Sequence, residues 1–240
     1  MQQQTIVTRV HHSLLAGRER RVLVWLAARL PATVTPDRLT VLGVAGALLS
    51  GISYIAASQS ADFLWLASFG LVVNWFGDSL DGTLARHRRI ERPRYGFFID
   101  HTTDVVSQVF IFLGLGLSPF MRFDTACLAL MSYWLAALYT FIRALATNVF
   151  QISYWGIGPT EIRLALIAYN MALLILGPVA LPTAYGPVSP IDIFCAGLFG
   201  LVFVAFLGLI VGEGRRLAVL DASPAKPSKL ESPEPNSPGK

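Results

Sequence analysis

Charged residues are scarce in this chain, and cysteine is nearly missing. Only 14% of the 240 residues are Asp, Glu, Lys or Arg, against 54% hydrophobic, and the mean hydropathy is +0.56. That balance excludes an ordinary soluble domain and points to an integral membrane protein. The two cysteines, Cys127 and Cys195, sit alone in separate apolar runs. Neither a disulfide framework nor a thiolate metal site is available, and both read as small buried hydrophobes. The net charge of +4 implies no nucleic-acid partner, because the basic residues gather between apolar runs instead of forming one basic face. The N-terminal stretch lacks a long apolar core followed by a small-residue cleavage site, so no removable signal peptide is expected. No internal repeat suggests an inverted-repeat transporter.

What is present is a series of six apolar runs, at residues 39–57, 63–86, 97–117, 125–148, 160–179 and 190–213. Each approximates the ~20 residues that a helix needs to cross a bilayer. Thr35-Pro36-Asp37 opens the first with a polar cap and a proline in the initial turn, and Ser118-Pro119 breaks the third. The expected fold is all-α, a six-span transmembrane helix bundle with both termini on one side. Arg86, Arg88, Arg89, Arg92 and Arg94 lie at the junction of the second and third runs, and Arg215 and Arg216 follow the sixth, whereas only Arg122 lies on the opposite side. The positive-inside rule then puts the termini and the basic junction in the cytoplasm.

Three parts are expected. Residues 1–34 form a juxtamembrane segment whose apolar residues recur at helical spacing, with Arg18, Arg20, Arg21 and Arg29 on a basic face. An amphipathic helix lying on anionic lipid and a helix packed on a partner both fit that pattern. Residues 35–216 form the six-helix transmembrane catalytic domain. Residues 217–240, rich in Pro, Ser and charge, form a disordered cytoplasmic tail. Gly208 and Gly212 make a GxxxG-spaced pair suited to helix packing.

One stretch breaks the apolar pattern. Asp78, Asp81, Asp100 and Asp104 stand at or inside the facing ends of the second and third runs. A carboxylate at bilayer depth costs roughly 2.5–3.5 kcal/mol even on a lenient insertion scale. The i, i+3 and i, i+4 spacings put each pair on one helix face. Four acids brought together repel one another, and a hard divalent cation is the simplest way to hold them.

Written as a pattern, the stretch is D-x2-D-G-x2-A-R-x9-G-x3-D-x3-D, with Asp78, Asp81, Gly82, Ala85, Arg86, Gly96, Asp100 and Asp104 at its fixed positions. This resembles the signature of the CDP-alcohol phosphatidyltransferase family, and the looser likeness covers the six-span core. The resemblance implies a membrane phosphotransferase of phospholipid biosynthesis. Such an enzyme moves a substituted phosphoryl group from a CDP-linked donor to an alcohol or lipid acceptor and releases CMP. It implies two divalent ions, Mg²⁺ or Mn²⁺, held by Asp78, Asp81, Asp100 and Asp104, with Asp104 also the general base on the acceptor hydroxyl. Pro36 and Thr40 match a further family element near the cytidine. They join Gly82, Ala85, Arg86 and Gly96 as the implied CDP-binding residues. Glycine at 82 lets a nucleotide approach the helix backbone, and the planar fork of Arg86 suits a phosphate.

Other residues stay open between two readings. His101 gives DHTTD, similar to the choline/ethanolamine phosphotransferase branch, and is a second candidate for the base. Asn74 faces the same cavity or bonds a neighbouring helix. Arg143 binds an acceptor or lipid phosphate, or snorkels to the interface. Glu161 and Arg163 line the cavity, or form a local cap with Thr160 as N-cap. The remaining loop arginines read as orientation signals and anionic-lipid contacts. A homodimer is among the expected partners, besides membrane lipids. The alternative function is a cation-coupled transporter or channel that uses the intramembrane aspartates.

Overall fold

The computed structural model describes residues 8–10, 16–147, 149–151, 158–184 and 186–222. Among them run seven helices: α1 (Ala16–Ala27), α2 (Pro36–Ala56), α3 (Phe63–Arg88), α4 (Pro93–Gly116), α5 (Phe123–Thr147), α6 (Pro159–Leu176) and α7 (Pro190–Ala222). Two short strand pairs complete the fold. β1 (Thr8–Val10) lies parallel to β2 (Val149–Gln151), and β3 (Leu181–Thr183) forms a hairpin with β4 (Gly186–Val188) between α6 and α7.

Helices α2 to α7 coincide with the six apolar runs, and the all-α membrane bundle is as expected. The count of spans differs slightly. Five helices, α2, α3, α5, α6 and α7, are long and apolar enough to cross a membrane. The exception is α4, whose apolarity is lowered by Asp100, His101, Asp104, Ser107 and Gln108. It packs on α2 and α5. Helix α7 continues past residue 213 to Ala222. The rest of the C-terminal tail lies outside the described residues, as do residues 1–7.

Local chemistry sets the helix ends nearest the aspartates. Thr35 Oγ1 accepts the Arg38 N–H at 3.3 Å, and Pro36, with no N–H to satisfy, occupies the first turn of α2. At the other end of the site Arg89 takes a left-handed φ of 57°, and the Ile90 N–H returns to Ala85 O at 3.0 Å. That closure ends α3 before the basic loop.

Helices α2 and α3 cross through glycine. A Cβ added to Gly46 would lie 2.6 Å from the Asn74 nitrogen and 2.8 Å from the Gly70 carbonyl oxygen. The contact is therefore backbone on backbone, the arrangement that small residues allow in a membrane. Gly46→Val should push the helices apart and cost roughly 1–3 kcal/mol. A lowered thermal midpoint in detergent would register this; an unchanged midpoint would show that the crossing yields without strain. Within this chain the Gly208 and Gly212 positions face open space, and the packing glycines are those of α2, α3 and α4 instead.

The core between these helices holds Ala47, Tyr54, Leu64, Ala67, Leu71, Ile111 and Leu115. Three of the polar side chains at this depth are paired with one another. Tyr54 Oη donates to Asn170 Oδ1 at 3.1 Å, and Asn170 Nδ2 donates to Ser68 Oγ at 3.0 Å, which ties α2, α3 and α6 together at depth. Helix α1 uses Leu23 and Ala27 to pack on Leu39, Leu80 and Leu84, while Val22, Val24 and Trp25 stay exposed. The packed reading of this segment thus describes one face, and the partner is the chain's own α3.

Candidate active site

Helix α3 presents Asn74, Asp78 and Asp81 at successive turns toward the start of α2 and α6. Asp81 is held on both oxygens: Thr40 Oγ1 donates to Oδ2 at 2.5 Å, and the Gly82 N–H donates to Oδ1 at 2.5 Å. Thr40 also reaches Pro36 O at 3.2 Å, so the Pro36–Thr40 turn does meet the first aspartate pair. Next to Asp81, the nearest group over Gly82 is the Arg86 guanidinium, 3.2 Å from where a Cβ would sit. Arg86 Nη2 donates to Thr83 Oγ1 at 3.2 Å.

Asp78 faces a cation from another helix. Arg163 Nη2 donates to Asp78 Oδ2 at 2.7 Å, and Arg163 Nε donates to Asn74 Oδ1 at 2.7 Å. Asn74 in turn donates from Nδ2 to Gly43 O at 2.9 Å. Arg163 is 9% exposed and Asn74 1%. Both readings of Asn74 therefore hold at once, since it bonds across to α2 and lines the cavity beside Asp104.

On α4, Asp104 comes within side-chain hydrogen-bonding reach of Asp78, and Asp100 within electrostatic reach of both Asp81 and Asp104. Asp104 lines a small cavity together with Asn74, Tyr133, Arg163, Ile111, Phe112 and Leu166. Gly96 lies apart in the exposed first turn of α4, with nothing within 4 Å of a Cβ placed there. Ala85 is half-buried on α3, a turn beyond Asp81.

His101 turns the other way. Its Nδ1 lies 2.8 Å from Phe97 O and 3.6 Å from Asp100 Oδ2, and its ring packs on Phe97 and on Phe141 of α5, with centroids 4.2 and 5.1 Å away. The short contact to a carbonyl requires the Nδ1–H tautomer. Arg143 is also outside the aspartate cavity. Its Nε is 3.5 Å from Glu213 Oε1, which Arg216 also approaches, and together with Thr147 and Arg216 it lines a separate cavity between α5 and α7.

Two groups of the basic loop have structural partners. Arg88 donates to Val34 O at 2.5 Å, Pro31 O at 2.8 Å and Leu30 O at 3.0 Å, gripping the link between α1 and α2. Arg92 pairs with Asp37 and lies over the Tyr95 ring. At the start of α6 the N-cap is Gly158, not Thr160. Glu161 at N3 accepts the Gly158 N–H at 2.9 Å. Of the GPTEIR pair, then, Glu161 serves as the cap and Arg163 lines the site.

Among the described residues, no group of three or more His, Cys, Asp and Glu side chains is gathered closely enough to hold a metal ion. The charge opposite Asp78 is Arg163 instead. In chemistry, the donor set still suits a hard divalent cation, being four carboxylates on facing helix ends.

Residues 33–210 match the family described as CDP-alcohol phosphatidyltransferase, from just before α2 to well inside α7. The chain belongs to that family. Within it, a 104-residue stretch is 32% identical to archaetidylinositol phosphate synthase of Pyrococcus horikoshii, covering 43% of this chain and 52% of that protein. A 164-residue stretch is 28% identical to cholinephosphotransferase 1 of Gallus gallus, covering 63% of this chain and 46% of that protein. Phosphatidylinositol phosphate synthase of Cutibacterium acnes is 37% identical over 90 residues, 38% of this chain and 41% of that protein. The aligned stretches span about half or less of each relative. Proteins with different names are thus similar to this one chain.

Proposed function

We propose that this protein is a membrane phosphotransferase of phospholipid biosynthesis, which moves a substituted phosphoryl group from a CDP-linked donor to an alcohol and releases CMP. The observation that carries the reading is that Asp81 accepts from Thr40 and from the Gly82 N–H while Asp78, one turn earlier on α3, lies beside Asp104 of α4, all within the family's matched region. In the reaction, the acceptor oxygen forms a bond to the donor's transferred phosphorus. The anhydride bond breaks toward CMP, which leaves with the electron pair, and the acceptor proton passes to a base.

Divalent ions bound by Asp78, Asp81, Asp100 and Asp104 would neutralise the anhydride and stabilise the attacking and leaving oxygens. The chain's own groups do the positioning. Thr40 fixes the rotamer of Asp81, Gly82 leaves room for the nucleotide against α3, and Arg86 stands over that space with donors for phosphate. Asp104, which lines a cavity with Asn74, Tyr133 and Arg163, suits the proton acceptor. His101 is engaged with Phe97 O and two aromatic rings, which favours Asp104 as the base. His101→Ala should then lower kcat less than about tenfold, and Asp104→Asn by on the order of 10² or more. The reverse ranking would transfer the base to His101.

The basic loop and termini support an active site facing the cytoplasm, where nucleotide-linked donors are made. The test is CMP release by purified protein in lipid with Mg²⁺ or Mn²⁺, across pairs of CDP-diacylglycerol with polar alcohols and CDP-choline or CDP-ethanolamine with diacylglycerol. Turnover on at least one pair is expected. Folded protein silent on all of them would contradict the reading.

A further inference from the structure

One carboxylate outside the motif joins three helices beside the site. Glu19 of α1 stands among Arg18, Arg20 and Arg21, yet its Oε1 turns into the bundle. It accepts from Trp75 Nε1 at 2.7 Å and Ser79 Oγ at 3.4 Å, both on α3, and from Thr160 Oγ1 on α6 at 2.9 Å. Each donor is next to a site residue or one turn from it. Trp75 follows Asn74, Ser79 follows Asp78, and Thr160 precedes Arg163 by three positions on α6. The Arg163 bonds to Asn74 and Asp78 cross the same α3–α6 gap.

We propose that Glu19 is a positioning residue: α1 straps α3 to α6 through this carboxylate and thereby sets the reach of Arg163 to Asp78. The strap is anchored along its middle and at its C-terminal end. Leu23 and Ala27 bury the middle and end of α1 against Leu80 and Leu84 of α3, and Arg88 grips the three carbonyls that follow α1. A half-buried carboxylate taking donors from two other helices holds their spacing, because losing it leaves an indole N–H and a hydroxyl without an acceptor. Two bonds from Arg163, each 2.7 Å, depend on that spacing. A shift of about 1 Å is enough to cost a positioned site up to 10²-fold.

The kinetic arm of the test rests on the proposed phosphotransfer; the exchange arm does not. Hydrogen exchange of the first two turns of α6 is compared in wild type, Glu19→Ala, Glu19→Gln and Thr160→Ala, all reconstituted in lipid, alongside CMP release. Glu19→Ala and Thr160→Ala should each speed exchange at residues 159–165 several-fold. Glu19→Ala should also lower kcat roughly tenfold with donor KM within about twofold. Glutamine keeps the accepting oxygen, so Glu19→Gln should recover most of both. Wild-type exchange rates in Glu19→Ala would overturn the strap, as would Glu19→Gln behaving like Glu19→Ala. If wild type releases no CMP from any donor, the functional reading fails and exchange alone decides the strap.

Discussion

Asp78→Asn lowers CMP release by on the order of 10³-fold while the protein stays folded. Asparagine retains an oxygen where Asp78 Oδ2 accepts from Arg163 Nη2 at 2.7 Å, so the α3–α6 contact survives. What is lost is a negative charge facing Asp104, and with it one of the carboxylates proposed to hold divalent ions. Nearly full turnover in a folded Asp78→Asn protein would remove that carboxylate from the chemistry. The measurement is kcat in lipid, with a thermal midpoint taken on the same sample.

Arg163→Ala has the second large effect, and it is an effect on stability first. The guanidinium is 9% exposed and gives separate donors to Asn74 and Asp78. Without it, Asp78 and Asp104 remain as neighbouring half-buried acids that have lost the facing Arg163 charge. Removing one partner of a buried ion pair costs about 3–5 kcal/mol, expected here as a marked fall in the unfolding midpoint measured with a chelator present. Added Mg²⁺ should restore more of the midpoint in Arg163→Ala than it adds to wild type, because a bound cation then replaces the missing charge. Arg163→Lys should fall between the two, since one ammonium cannot reproduce the two-donor fork. An Arg163→Ala midpoint equal to that of wild type would mean that the pair contributes nothing.

Much of the bundle was legible because helix length and apolarity are local properties. The aspartate spacing was legible for the same reason: Asp78 with Asp81, and Asp100 with Asp104, each lie within one helical turn. Contacts made between distant segments were not. Arg163 and Asn74 are separated by 89 positions, and Glu19 and Thr160 by 141, so the sequence leaves Arg163 between two readings and assigns Glu19 no role. Its only sequence signal is that isolation among arginines. Tyr133, in the cavity wall beside Asp104, reads in the sequence as one more aromatic in an apolar run. The run counted as a third span shows another limit of local reading: Asp100, His101, Asp104, Ser107 and Gln108 lower the apolarity of α4, so by composition it falls short of a lipid-crossing helix.

The turn at Gly158 shows how close a local reading can come and still miss. A threonine cap at 160 places Glu161 one residue away, whereas the observed cap two positions earlier puts Glu161 at N3 with its oxygen on the Gly158 N–H. That shift releases Thr160 to bond Glu19. It also leaves Arg163 one turn further on, directed at Asp78.

The most direct measurement is CMP release from CDP-linked donors by the reconstituted protein with saturating Mg²⁺, with excess chelator, and in Asp78→Asn. The account predicts acceptor-dependent CMP only in wild type with the metal present, and none above background in the other two. CMP release that persists in chelator and in Asp78→Asn, or none from folded wild type with any donor and acceptor, would contradict it.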